Sequence, residues 1–356
     1  MARNRTAIAQ SEVAIASLLE QIGRGGDFTL HLLKGGSNNK VFRVESSGGP
    51  LLLKVYFQHS NDRRDRLNAE FSFCRFAWEN GLRSIPEPLA SDSTNHLGLY
   101  EFIAGRLLEP REITQERVEQ ALDFYQELNR YRGKPEAQTL PAASDACFTL
   151  AQHLERVENR LGELKKVDDS LPIHHEARDF VQRELEEAWK KVRESVLRRS
   201  KEIGLSLEED PFKEDHRLSP SDFGFHNAIL TPHGKLRFID FEYAGWDDPI
   251  QVACNFLCLR GVPVPEKYYS LVLNEVVSDL SDPEIHRKRF SLLMPVHQIK
   301  WCCILLNHFR QVGIERRRFA QEIDDLENLK RTQLGKARNA LREFYQRGFI
   351  SNDGLH

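Results

Sequence analysis

Two periods of apolar residues divide the chain. From residue 28 the stretch "FTLHLLKGGSNNKVFRV" alternates apolar and polar positions, breaks at Gly35 and Gly36, and resumes. This pattern predicts a strand, a glycine turn and a second strand. "SSGG" supplies another turn, and "PLLLKVY" reads as a third strand. "DRRDRLNAEFSFCRFAWENG" then takes a helical period and ends at Gly81, a residue suited to a helix C-terminus. "SIPEPLASD" reads as a proline-bearing connection, and "HLGLYEFIAGR" as an apolar strand ending at Gly105. Ahead of them all, "MARNRTAIAQSEVAIASLLEQIG" predicts an amphipathic helix. Gln10, Ser11 and Glu12 interrupt the apolar core that a signal peptide needs.

Beyond residue 112 the pattern changes. "QERVEQALDFYQELNRYRG", "FTLAQHLERVENRLGELKKV" and "HHEARDFVQRELEEAWKKVRESVLRRSKEIG" are charged and helix-prone, and their charge runs read as solvated helix faces. "AILTPHGKLRFIDF" is a hairpin signal with Pro232, His233 and Gly234 at the turn, and from about residue 248 the chain is helical again. The fold class expected is α+β. A small antiparallel-sheet lobe over residues 1–103 carries an N-terminal helix, and a larger, mainly helical lobe occupies 104–356. The join falls near residues 101–106.

Composition narrows this only a little. A chain of 356 residues is long enough for two cores. Its formal charge of −3 argues against a nucleic-acid partner. No apolar run reaches the roughly 18 residues of a membrane span, so no membrane partner is expected. The six cysteines are scattered without metal-ligand spacing, which predicts buried thiols in a reducing cytoplasm.

The chemistry concentrates in "SPSDFGFHNAIL" and "FIDFEYAG". Phosphoryl transfer needs small residues over the phosphates, a cation to hold them, oxygen ligands for magnesium, and a carboxylate for the attacking hydroxyl. "KGGSNNKVF", between two predicted strands, suits the first task, although the same residues make an ordinary hairpin turn. Lys54 sits in an apolar strand and so needs either solvent or a partner; Glu70 in the next helix is the candidate. Asn227 opens a strand whose hairpin return brings Asp240 beside it. An amide oxygen and a carboxylate meeting there suit magnesium. Asp222, at the start of the loop, is placed to reach a hydroxyl.

These residues resemble the aminoglycoside phosphotransferase and choline kinase branch of the protein-kinase-like superfamily, over roughly residues 28–260. Members carry a loop of the form H-G-D-x-x-x-x-N followed by I-D-[FW]-[ED], and "SDFGFHNAIL" and "FIDFEYAG" match its aspartate, asparagine and metal motif. The resemblance implies a bilobal protein-kinase-like fold and a kinase that uses ATP and Mg2+ to phosphorylate a hydroxyl-bearing small molecule. By it, Lys54 contacts phosphates with Glu70 as ion-pair partner, while Gly36, Ser37 and Asn38 lie over the phosphates. Glu101, Phe102 and Ile103 meet adenine, Asp222 is the catalytic base, and Asn227 with Asp240 holds the metal. A peptide-kinase reading lacks an A-P-E-like segment after the metal motif.

The chain departs from the pattern twice. Pro220 stands where the family has histidine, and Gln251 where it often has aspartate. Both substitutions motivate an alternative, a catalytically silent relative that binds nucleotide or a partner. For the acceptor, amino alcohols, sugars, amino acids and aminoglycosides stay open. Glu242, Asp247 and Asp248 would attract a cationic acceptor, and Trp246 and Trp301 would stack on it. Equally, Asp247-Asp248-Pro249 is a good helix start and Trp301 a core residue.

Overall fold

The computed structural model describes residues 2–33, 38–60, 62, 64–167, 171–320, 323 and 325–347, with backbone alone over 2–11. The N-terminal region is built on a five-stranded antiparallel sheet. Its strands are β1 (Thr29–Leu32), β2 (Lys40–Ser46), β3 (Gly49–Val55), β4 (Pro88–Asp92) and β5 (Leu97–Glu101), in spatial order β1-β2-β3-β5-β4. Helix α1 (Ala2–Gln21) lays Ala14, Ile15, Leu18 and Leu19 on one face, against Val44, Leu51, Leu53, Ala90, Leu97 and Leu99. Each fully buried leucine there contributes roughly 1.5–3 kcal/mol. Successive strand residues point to opposite faces. With Leu51 and Leu53 committed to α1, Leu52 and Lys54 must face the other way.

That second face is covered by α2 (Arg66–Glu79). Asp65 caps the helix by accepting from the Asn68 amide at 3.0 Å. The helix stops at Asn80 and at Gly81, whose φ of +94° suits glycine. Strand β4 differs from expectation, since "SIPEPLASD" read as a connection. Pro88 enters a strand because β4 is at the sheet edge, where a residue without an N–H costs least. The register slips between Pro88 and Ala90.

The rest is mostly helical, as the charged periodic runs predicted: α3 (Gln115–Arg130), α4 (Leu150–Lys165), α5 (Pro172–Phe180), α6 (Glu186–Glu202), α7 (Pro249–Cys258), α8 (Tyr269–Val277), α9 (Pro283–Leu305), α10 (Gln311–Ala320) and α11 (Leu326–Gln346). The run read as one helix around residues 174–203 is broken by a π turn over Val181–Leu185. Between α6 and α7 lie β7 (Arg217–Ser219), β8 (Ala228–Leu230), β9 (Leu236–Phe238) and β10 (Gly245–Asp247); β6 (Arg106–Leu107) pairs with β8. β8 and β9 form the expected hairpin, and β7 pairs with β10. All six cysteines are buried and unbridged. Among the described residues, no helix is long and apolar enough to cross a membrane.

Polar ties join sheet and helices. Arg66, fully buried on α2, reaches Asp62 at 2.5 Å and the Phe57 carbonyl at 3.0 Å; its Nε lies 3.2 Å from Glu242 Oε2. Arg237 on β9 takes Glu101 at the end of β5 in a two-pronged pair, both contacts 2.6 Å. On another side α10 leans on the sheet region. Phe319 packs on Phe57 with ring centroids 5.5 Å apart, Lys40 Nζ lies 5.0 Å over the Phe319 ring, and His59 Nε2 meets Glu315 at 2.8 Å.

A buried polar chain crosses the helical core. Lys300 Nζ donates to Asn255 Oδ1 at 2.7 Å, His297 Nδ1 lies 3.0 Å from the same oxygen, and His297 Nε2 lies 3.3 Å from His153 Nδ1. The chain closes with both imidazoles neutral and protonated at Nδ1. A further proton on His153 would sit on Nε2, which is buried without a partner. Burial accordingly pulls His153 down to about 3 and His297 well below the ordinary value.

Two tests follow from this architecture. Arg66→Ala leaves Glu242 buried without its counter-charge and should lower the unfolding free energy by about 3–5 kcal/mol in urea titrations. For His153 the folded pKa is depressed. The stability it contributes is therefore present above the ordinary histidine pKa of about 6.5 and lost as pH falls toward 3. Asp247, which burial beside Asp248 raises to about 7, works in the opposite sense. The decisive quantity is therefore a difference: melting temperatures should drop less between pH 7 and pH 5 in His153→Gln than in the parent.

Candidate active site

The site is organised by the ammonium of Lys54. Strand alternation points it away from α1 and into the space between sheet and helices, where it is 5% exposed. Glu70, from the second turn of α2, takes it with both oxygens at 2.7 and 2.9 Å, and Asp240 Oδ1 lies at 2.8 Å on the far side. Burial alone would strip the proton from Lys54. The carboxylates of Asp240 and Glu70 more than reverse this and hold its pKa above the ordinary lysine value. Glu70 is itself clamped: Tyr56 donates to Oε2 at 2.7 Å, and the Phe241 amide to Oε1 at 3.2 Å. With the Tyr56 proton given to Glu70, the Tyr100 hydroxyl, 2.8 Å away, must donate to Tyr56.

The second half of the site comes from the β7–β8 loop and the residues after β9. The hairpin register pairs Ala228 with Phe238, and the Ile239 amide donates to the Asn227 carbonyl at 2.9 Å. Asn227 and Asp240 are thereby held on neighbouring backbones. The Asn227 amide group donates to the Asp222 carbonyl at 3.0 Å and to Asp222 Oδ2 at 3.3 Å, which turns its own Oδ1 away from Asp222. Asp240 has a φ of +71° and Ser221 one of +64°. Such left-handed non-glycine residues cost of order 1–3 kcal/mol each and persist where surroundings impose them. At Ser221 the surroundings are visible: its amide donates to Ser219 Oγ at 2.9 Å, and the Asp222 amide to the Pro220 carbonyl, also at 2.9 Å. Pro220 thus takes part in the turn that presents Asp222.

Two further residues shape the loop. A Cβ on Gly224 would stand 2.1 Å from Leu259 Cδ1, so the loop packs this closely only with glycine there. His226 Nε2 lies 3.3 Å from Asp222 Oδ1. Burial would raise the Asp222 pKa, but His226 and the Asn227 amide outweigh it and keep the carboxyl below its ordinary range. His226 stands four residues past Asp222, a spacing visible in the sequence, although it is not at the position of the family's histidine. Asn227 Oδ1 and Asp240 Oδ2 remain as hard oxygens on adjacent backbones. Among the described residues, no group of three or more His, Cys, Asp and Glu side chains forms a metal cage. Magnesium fits this donor set, since it binds through one or two carboxylate-type ligands with phosphates and water completing its shell.

Gly36 and Ser37 lie outside the described residues. Asn38 turns its amide inward, to Glu242 Oε1 at 2.5 Å and the Tyr243 hydroxyl at 3.1 Å. Glu101 is engaged by Arg237, the Phe102 ring lies 4.9 Å from the Arg43 guanidinium, and Ile103 is buried. The acidic residues expected to draw a cation are committed elsewhere. Glu242 is wholly buried against Asn38, Asn39 and Arg66. Asp248 caps α7 through the Ile250 amide and pairs with Arg289. Asp247 is buried and accepts from Gln251 Nε2 at 2.9 and 3.1 Å. Gln251 also donates to the Asp145 carbonyl at 2.8 Å. Trp246 donates to the Ala137 carbonyl at 2.9 Å and lines a surface cavity of about 710 Å3 with Arg130, Arg132, Lys213 and His216. Trp301 packs against the main core.

The sequence matches the phosphotransferase enzyme family (APH) over residues 29–251, more than half of the chain. No curated protein matches it. Several solved structures share its fold. A choline/ethanolamine kinase family protein from Mesorhizobium loti aligns at 17% identity over 96% of this chain and 98% of its own, with a TM-score of 0.57. Spectinomycin phosphotransferase APH(9)-Ia, in complex with ADP and spectinomycin, aligns at 12% identity over 90% and 97%, with a TM-score of 0.59. Choline kinase LicA from Streptococcus pneumoniae aligns at 13% over 94% and 99%, with a TM-score of 0.56. At such identities the likeness concerns the protein-kinase-like fold. Together with the family match, it establishes that this chain belongs to the phosphotransferase enzyme family.

Proposed function

We propose that the chain is an ATP- and Mg2+-dependent small-molecule kinase that transfers the γ-phosphoryl group to a hydroxyl of a metabolite. One observation carries the reading. Lys54, Glu70, Asp222, Asn227 and Asp240, from separate parts of the chain, converge through direct contacts at 2.7–3.3 Å and adjacent backbones. In this reading residues 1–103 form the nucleotide lobe and 104–356 the lobe that carries the catalytic loop and the acceptor. Six buried, unbridged cysteines support a reducing, cytoplasmic setting.

The residues divide the work. Lys54, kept charged by its two carboxylates, neutralises phosphate oxygens, and Glu70 keeps it aimed while Tyr56 and Tyr100 hold Glu70. The Asp222 carboxylate accepts the acceptor's hydroxyl proton and orients the oxygen, with His226 and Asn227 fixing its rotamer. Asn227 and Asp240 would hold Mg2+, which when bound offsets phosphate charge. Most of the rate gain in such a site comes from positioning and electrostatics.

Two substitutions test this. Asp222→Asn preserves the shape of the loop and should lower kcat by about 10²–10⁴-fold in an ADP-release assay with a turned-over acceptor, while nucleotide binding persists. An unchanged rate would defeat the assignment. Asp240→Asn should shift the Mg2+ dependence of ATP binding to higher metal concentration, read by titrating a fluorescent ATP analogue at increasing Mg2+.

A further inference from the structure

The segment that carries Asp240 also grips the connection between β1 and β2. That connection is closed at its base, where the Leu33 amide donates to the Val41 carbonyl at 2.8 Å. Just before β2, Asn38 Nδ2 donates to Glu242 Oε1 at 2.5 Å and to the Tyr243 hydroxyl at 3.1 Å. Asn39 Nδ2 donates to Glu242 Oε2 at 2.8 Å. Asn39 cannot turn its amide round, because its Oδ1 accepts from the Phe57 amide at 3.1 Å. Arg66 completes the group: its Nε lies 3.2 Å from Glu242 Oε2, and its Nη1 donates to the Phe57 carbonyl at 3.0 Å.

The donors explain why a carboxylate stands here. Glu242 is wholly buried, and Asn39 is 4% exposed. Burying a charge is costly, and a neutral side chain would avoid that cost. Yet Asn38 and Asn39 present N–H groups to both oxygens of Glu242. A glutamine in its place would offer one acceptor and set its own NH2 against the other asparagine. Only a carboxylate accepts on both sides, and Arg66 supplies the opposite charge. Successive residues of the segment divide the work. Asp240 turns to Lys54 at 2.8 Å, the Phe241 amide donates to Glu70 at 3.2 Å, and Glu242 takes the two asparagines. Three consecutive residues thus tie the metal motif to β3, to α2 and to the turn before β2.

We infer, resting on the kinase reading above, that Glu242 is a positioning residue. It fastens the turn that covers the phosphates to the segment that holds the metal. In that reading the turn and Asp240 meet one nucleotide, the turn directly and Asp240 through Mg2+. Without a tie between them, each would hold the phosphates at a place of its own. The clasp fixes their separation, so phosphates gripped by the turn also arrive at the metal, and part of the ordering cost is met before the nucleotide binds. Glu242 does this from inside the protein, through Asn38 and Asn39.

The full chain should be titrated with a fluorescent ATP analogue, with and without Mg2+, and assayed with a turned-over acceptor. Glu242→Gln should weaken binding at least about tenfold when Mg2+ is present and much less when it is absent, the range of one hydrogen bond to a charged group. The kcat should fall with it, while the KM of the acceptor stays within about twofold. A general loosening of the fold would instead weaken binding alike with and without the metal and raise the acceptor KM; that result, or unchanged binding and kcat, would overturn the inference. Asn39→Ala removes one arm and leaves Glu242 paired with Arg66, so it makes the same Mg2+ comparison if Glu242→Gln fails to fold. Together the two substitutions should lose less than the product of their separate losses, because both break one clasp, and fully additive losses would count against it. If the parent binds no nucleotide and phosphorylates nothing, the kinase reading itself fails. Amide hydrogen exchange of the free chain then judges the clasp alone: faster exchange confined to residues 38–42 in Glu242→Gln upholds it, and unchanged or uniformly faster exchange overturns it.

Discussion

A buried ammonium needs opposite charge, and the architecture around the cleft answers that need at Lys54. The alternation of β3 sends Lys54 away from the α1 face. Once there, it requires α2 to present Glu70 and the chain after β9 to present Asp240. Both demands cross the boundary between sheet and helices, so one cation sets how the two parts meet. Neighbouring groups follow the same logic. Glu70 needs Tyr56, Tyr56 needs Tyr100, and Glu242 needs Arg66, because a polar group withdrawn from water must find its partner inside.

This arrangement was partly legible before any coordinates. The strands β1–β3 and β5, the β8–β9 hairpin, α2 with its stop at Gly81, and the helical remainder announce themselves through period and turn residues. These are local properties of the chain. Lys54 in an apolar run and the spacing of Asp222, Asn227 and Asp240 were readable for a similar reason, since one hairpin sets Asn227 beside Asp240 and Asp222 lies on the loop that leads into it.

Other features were not legible, and the reasons are physical. Edge position excuses a proline from the ladder, and nothing in "SIPEPLASD" reveals that it lies at an edge. β7 and β10 are three residues each and owe their existence to one another. Burial is a property of the assembled fold, so Glu242, Asp247 and Asp248 looked like charges available to a ligand although each faces a partner inside. The arginines of residues 156–160 read as part of a solvated helix face, and only the packing shows Arg156 and Arg160 gathered at Asp145.

The contact of α10 with the sheet region bears on how such a cleft opens. The Phe57–Phe319 stack and the His59–Glu315 pair join one of the last helices of the chain to the segment just after β3. Lys54–Asp240 and Arg237–Glu101 fasten the same junction elsewhere, so parting the sheet from the helices must break or carry contacts at several places. Phe319 and Glu315, far along the sequence, thus share the load that Lys54 bears at the centre of the cleft.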